Sequence, residues 1–106
     1  MNDFERECQR QVDGVVDTLN EIAARENSRE ALEEYFDDVF DIEYRVDGRK
    51  EYRSVKVMIT CGGPNIYVDT GDAYVRLYWG ATEVEAPLSY NAAEKIDEIF
   101  EDWFRW

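Results

Sequence analysis

The stretch Ile42–Ile59, IEYRVDGRKEYRSVKVMI, decides the fold. Before it, apolar residues recur every three or four positions. Inside it they recur every second position. Ile42, Tyr44 and Val46 alternate with charged residues, and Val55, Val57 and Ile59 alternate again. That is the period of strands with one buried face. DGRK at Asp47–Lys50 lies between the two runs and supplies turn chemistry, so the stretch reads as a β-hairpin.

The same period continues downstream. CGGP at Cys61–Pro64 ends the second strand, Ile66–Asp69 forms a third, and TGD at Thr70–Asp72 turns the chain into a fourth, Ala73–Trp79. Gly80 and Ala81 lead to a fifth, Thr82–Ala86, which Pro87 closes because proline cannot donate to a ladder. Upstream the period is helical. Phe4, Cys8, Val12, Val15, Val16, Leu19, Ile22 and Ala23 share one face of a helix over residues 3–25, with Asp3 as its N-cap. Gly14, inside that helix, suggests close approach of another element. Asn27 with Glu30 resembles a capping box for a second helix over Ser28–Phe40, whose apolar residues are Leu32, Tyr35, Phe36, Val39 and Phe40. Ser89 caps a third, Tyr90–Phe104, with Leu88 as its hydrophobic staple. Ala93, Ile96, Ile99, Phe100, Trp103 and Phe104 form its buried stripe.

Helices and strands are thus segregated along the chain. The expected class is α+β: two N-terminal helices, an antiparallel meander of four to five strands, and a C-terminal helix packed on the sheet. With 106 residues and no linker-like stretch, residues 1–106 form a single domain.

Charge narrows the function. Lys and Arg number 12 against 25 Asp and Glu, a net charge of −13. Such a field repels phosphate, which argues against direct binding of nucleic acid or an anionic membrane and favours a basic partner. No apolar run is long enough to span a bilayer. The two cysteines, Cys8 and Cys61, read as free thiols of a reducing cytoplasm. Histidine is absent, which removes the commonest general base and metal ligand together. No nucleotide, metal or cofactor motif is present, so no catalytic residue, metal ligand or cofactor is expected. TCGGPN at Thr60–Asn65 is followed by a strand rather than the helix a phosphate loop requires. DTGD at Asp69–Asp72 lacks the remaining ligands of a calcium loop and reads as a turn.

The acids are unevenly placed. Residues 1–41 hold 13 acids and 4 bases, residues 42–88 hold 7 and 6, and residues 89–106 hold 5 and 2. The densest run is Glu30–Glu43, EALEEYFDDVFDIE, in which seven of fourteen residues are acidic and none is basic. On a continuous helix Glu30, Glu33, Glu34, Asp37, Asp38 and Asp41 would fall within an arc of roughly 140°, at about 100° per residue. Seven like-charge pairs three or four residues apart would then oppose folding by roughly 1.5–3.5 kcal/mol, at ~0.2–0.5 kcal/mol each. Such a stripe serves either solubility or the binding of a basic surface. A second candidate surface lies in the fourth strand, where Tyr74, Arg76 and Tyr78 point to one side and Val75, Leu77 and Trp79 to the other. Tyr and Arg are favoured at interfaces.

In size, charge and layout the chain resembles the small acidic proteins of phages and mobile elements, the anti-CRISPR proteins above all. Bacteriocin and toxin immunity proteins share this character. The resemblance spans the chain but carries no residue-for-residue motif. It implies a non-enzymatic inhibitor that offers carboxylates to a basic nucleic-acid-handling protein such as a CRISPR effector or nuclease. The alternative expectation is an interaction or immunity-type module that uses Tyr74, Arg76 and Tyr78, its acids serving solubility alone. A homo-oligomer is compatible with either.

Overall fold

The computed structural model describes residues 1–106. Five strands follow one another in the chain: β1 (Asp41–Val46), β2 (Tyr52–Thr60), β3 (Asn65–Asp69), β4 (Tyr74–Trp79) and β5 (Thr82–Pro87). They pair antiparallel in the order β1-β2-β3-β4-β5, the meander that short connections impose. The turn after β1 is held by the Asp47 carboxylate, whose Oδ1 accepts from the N–H groups of Arg49 (2.8 Å) and Glu51 (3.0 Å). These bonds hold the Asp47 carboxyl below the usual carboxylate range.

Alternation sends Val55, Val57, Ile66, Val68, Val75, Leu77, Val84 and Ala86 to one face of the sheet, where all are buried. Three helices cover that face: α1 (Asp3–Ala23), α2 (Ser28–Tyr35) and α3 (Tyr90–Phe104). α1 lies over β4 and β5, α3 over β2, and α2 packs against both long helices. Cys8, Val12, Val16, Leu19 and Ile22 of α1 interleave with Ala93, Ile96, Ile99 and Phe100 of α3 in a single core. Each fully buried Val, Leu, Ile or Phe contributes about 1.5–3 kcal/mol of transfer free energy. The Phe36 ring meets Phe100 edge-on at 5.3 Å, fastening the end of α2 to α3.

The last helix keeps its sequence-derived bounds. Ser89 Oγ accepts from the Ala92 N–H at 3.1 Å, and Leu88 is buried beside it. Other expectations are corrected. Asn2, not Asp3, caps α1, its Oδ1 accepting from Glu5 N–H at 2.8 Å. Nothing lies within 4 Å of where a Gly14 Cβ would stand, so that glycine marks no close approach. Asn27 makes no side-chain cap bond.

The largest correction concerns the second helix, which ends at Tyr35 rather than Phe40. The Phe40 N–H already donates to the Met58 carbonyl at 2.9 Å, so strand pairing claims this segment before a further helical turn can form. Three aspartates at the negative end of a longer helix would have opposed that turn. The early end leaves two of the seven like-charge pairs on helix, Glu30 with Glu33 and Glu30 with Glu34. The opposition falls to roughly 0.4–1 kcal/mol.

Candidate functional site

The acidic run is therefore not one helical stripe. Glu30, Glu33 and Glu34 lie on α2, Asp37 and Asp38 in the turn after it, and Asp41 opens β1. The run wraps one edge of the molecule from helix to sheet. Glu33 receives an ion pair from Arg29 at 3.3 Å. Glu30, Glu34, Asp37, Asp38, Asp41 and Glu43 have neither an ion pair nor a side-chain hydrogen bond. Four of the twelve bases, Arg49, Lys50, Lys56 and Lys95, make no ion pair, and none of them reaches these carboxylates. Of the nine arginines, Arg49 alone makes no ion pair.

The other face of the sheet carries no helix. Alternation and register place Arg45 of β1, Ser54, Lys56 and Met58 of β2, Tyr67 and Asp69 of β3, and Tyr74, Arg76 and Tyr78 of β4 on it. The expectation that Tyr74, Arg76 and Tyr78 share one side holds, and all three are half-buried. Register also links the two candidate regions, because Asp41, Met58, Tyr67, Arg76 and Glu85 form one row across the five strands. From Asp41 to Arg76 is about 14 Å, at ~4.8 Å per strand.

At the centre of this face stands an ion-pair network that sequence patterning missed. Asp69 accepts two parallel bonds from Arg45, Nη1 to Oδ1 and Nη2 to Oδ2, both 2.7 Å. The Gly71 N–H adds a third at 2.8 Å. Arg45 Nη1 also reaches Ser54 Oγ at 3.2 Å. Arg76 bonds Asp72 and Glu85, the latter at 2.9 Å, and lies 3.8 Å from Asp69. Burial opposes ionisation of Asp69, but the Arg45 and Gly71 bonds and the field of both guanidiniums outweigh it. Its carboxyl is held below the usual range. Hydrogen bonding to Asp72, against a smaller burial effect, raises the Arg76 guanidinium above its ordinary value. A Cβ at Gly71 would stand 2.6 Å from Arg45 Nη1, so a larger residue there would have to displace the Arg45 side chain.

Aromatic rings frame this network. Lys56 Nζ lies 4.6 Å from the Tyr67 ring centre, Arg76 lies over Tyr74 at 5.2 Å, and Tyr67 meets Tyr78 edge-on at 5.7 Å. The signal for the network was present in the sequence, because alternation puts Arg45, Asp69 and Arg76 on the polar side of their strands. Their convergence depends on register between strands distant in sequence, which no local pattern states.

Two further features complete the surface. Arg29 bridges Glu33 and Asp102 at the mouth of an open hollow lined also by Trp103, Arg105 and Trp106, the last fully exposed. Cys8 is buried and Cys61 exposed, both as free thiols. No three Cys, Asp or Glu side chains gather in a way that could hold a metal ion. No helix is long and apolar enough to cross a membrane. No protein-family model matches the chain, and neither a curated protein nor a solved structure matches it.

Proposed function

We propose that this chain is a non-catalytic binding protein whose acidic edge, Glu30 to Glu43, occupies the phosphate-binding surface of a basic, nucleic-acid-handling protein and inhibits it by exclusion. The observation that carries this reading is the uncompensated charge of that edge. Six of its seven carboxylates have no partner in a molecule that pairs nearly every arginine elsewhere. Lys and Arg side chains of a partner would bond these carboxylates as they bond phosphates. The net charge of −13 would steer encounter and make it sensitive to salt.

The test is capture of bound proteins from a bacterial lysate at low salt, stepwise salt elution, and a nucleic-acid competition assay on each captured protein. A nuclease or effector that elutes at moderate salt and loses nucleic acid when the chain is added supports the reading. The triple variant Glu34→Lys, Asp37→Lys, Asp38→Lys should weaken that capture at least tenfold. Unchanged capture sinks it.

The half-exposed Tyr67, Tyr74 and Tyr78 around Lys56 and Arg76 favour a second reading, in which the uncovered sheet face is the contact. Under that reading binding persists at high salt, and Tyr78→Ala weakens it while the triple variant does not.

A further inference from the structure

The two edges of the sheet are treated differently. At the β5 edge, α1 packs alongside and the Gln9 side chain donates to the Glu85 carbonyl at 3.1 Å. At the β1 edge no element adds to the sheet, and β1 bonds only β2. Alternate N–H and C=O groups of Asp41–Val46 therefore face outward without a strand partner. Proteins commonly protect such edges with charged side chains, lysine above all, with proline or with a bulge, and the charges β1 carries are Asp41, Glu43 and an Arg45 already bound to Asp69. β1 has no lysine or proline, and its one irregularity lies at the far end, between Arg45 and Val46. Phe40, just before β1, and Val46, its last residue, are 63% and 46% exposed.

The side chains of β1 specify what could be added. Asp41 and Glu43 project to the open face without partners, whereas Ile42 and Tyr44 project to the core side and are half-buried. A strand laid beside β1 would place its own side chains about 4.5–5.5 Å from these, face for face. Basic residues at alternate positions would meet Asp41 and Glu43, and apolar residues between them would extend the core past Ile42 and Tyr44.

We propose that β1 is a docking edge that takes up an extended segment of a partner protein, with Lys or Arg alternating with apolar residues, as a sixth strand. This rests on the reading of the acidic edge above and names how the partner is gripped. Main-chain hydrogen bonds hold the segment, and the two carboxylates select its charge. A second copy of this chain is a poor occupant, because it brings the same acidic pair and the same net charge of −13.

The experiment uses the whole chain and three peptides: one alternating Lys and Val, the same peptide N-methylated at every residue, and one alternating Glu and Val. Binding is read by calorimetry and by amide hydrogen exchange. The Lys/Val peptide should bind, slowing exchange within Asp41–Arg45. Its methylated form, with equal charge and no N–H to donate, should bind roughly tenfold or more weakly, the loss of one or two net hydrogen bonds. The Asp41→Lys, Glu43→Lys variant should exchange its preference for the Glu/Val peptide.

Equal binding of the methylated peptide overturns strand addition while leaving a purely electrostatic acidic edge standing. Protection elsewhere than β1, or no binding by the Lys/Val peptide, also overturns it, and the proposed function is then judged by the lysate capture alone. Protection of β1 in the free chain that disappears on dilution makes a second copy the occupant and overturns the basic partner.

Discussion

Asp69, Asp72 and Glu85 each meet a guanidinium, whereas along Glu30–Glu43 six of seven carboxylates meet none. The two regions belong to one sheet and share a row of residues from Asp41 to Glu85. Availability of base does not explain the contrast, since the hairpin carrying Arg49, Lys50 and Arg53 adjoins β1. Burial explains half of it. Asp69 is nearly inaccessible and requires partners to remain charged, whereas the acids of the edge are mostly exposed and solvated by water. The basic partner proposed above would account for the other half. Like charges on α2 oppose folding slightly, and of its three glutamates only Glu33 has an ion pair within the chain to offset that.

Removing the centre of the paired region tests the contrast most severely. Asp69→Ala strands Arg45 and leaves the Gly71 N–H without its acceptor, while Arg76 keeps Asp72 and Glu85. Breaking a fully buried pair costs about 3–5 kcal/mol. The Arg45 side chain is 39% exposed, and water can solvate it in part. A loss of about 2–3 kcal/mol is therefore expected. Urea unfolding should show a lower midpoint at an unchanged slope. A loss below about 0.5 kcal/mol, the level of an ordinary surface site, would erase the distinction between the regions.

The same contrast explains what the sequence disclosed. Period and turn or cap residues placed four to five strands, set the bounds of α3, and put Tyr74, Arg76 and Tyr78 on one side of β4, because each depends on neighbours within a few positions. The end of α2 was not legible. Leu32, Tyr35, Phe36 and Val39 continue a helical stripe on paper, and only the pairing of Phe40 with Met58 decides otherwise. The acidic edge was visible as composition but misread as shape. Alternation puts the members of the Asp69 network on the polar side of their strands, but their meeting was not legible because Arg45 and Asp69 are separated by 24 residues and joined by register alone.

A half-buried acid without a guanidinium sharpens the comparison. Asp97 of α3 accepts from the Tyr52 hydroxyl at 2.5 Å and has no ion pair. Burial raises its carboxyl above the usual range, against the hydrogen bonds from Tyr52 and Thr70. Its folded pKa thus exceeds its unfolded one, so the folded state binds more protons between the two. Stability from Asp97 is present below the ordinary aspartate range and is lost as pH rises through the folded value. Asp69 has the opposite sign. Its stability is present above the ordinary range and is lost as pH falls through its depressed value. Relative to the parent, Asp97→Asn should gain stability as pH rises from about 4, whereas Asp69→Asn should lose it as pH rises from strong acid to about 4–5 and change little above that. Urea midpoints across pH check this, and parallel curves would mean that guanidinium pairing does not decide the fate of a buried or half-buried acid here.

The smallest effect is expected where the charge is greatest. Glu34→Lys, Asp37→Lys and Asp38→Lys together remove no contact, because none of the three side chains makes an ion pair or hydrogen bond. At position 34 the change replaces a like-charge pair with Glu30 by an attractive one, worth about 0.2–0.5 kcal/mol. It also puts a cation on the last turn of α2, where the helix dipole favours one by roughly 0.3–1 kcal/mol before screening. The variant should therefore unfold at the same or a slightly higher urea concentration, by no more than about 1 kcal/mol, and the gain should shrink as salt is added. The same variant is the one expected to lose its partner. Retained stability with lost binding separates the edge from the fold, whereas a loss above about 1 kcal/mol would place these carboxylates among the groups that hold the chain together and would remove the reason for assigning them a partner.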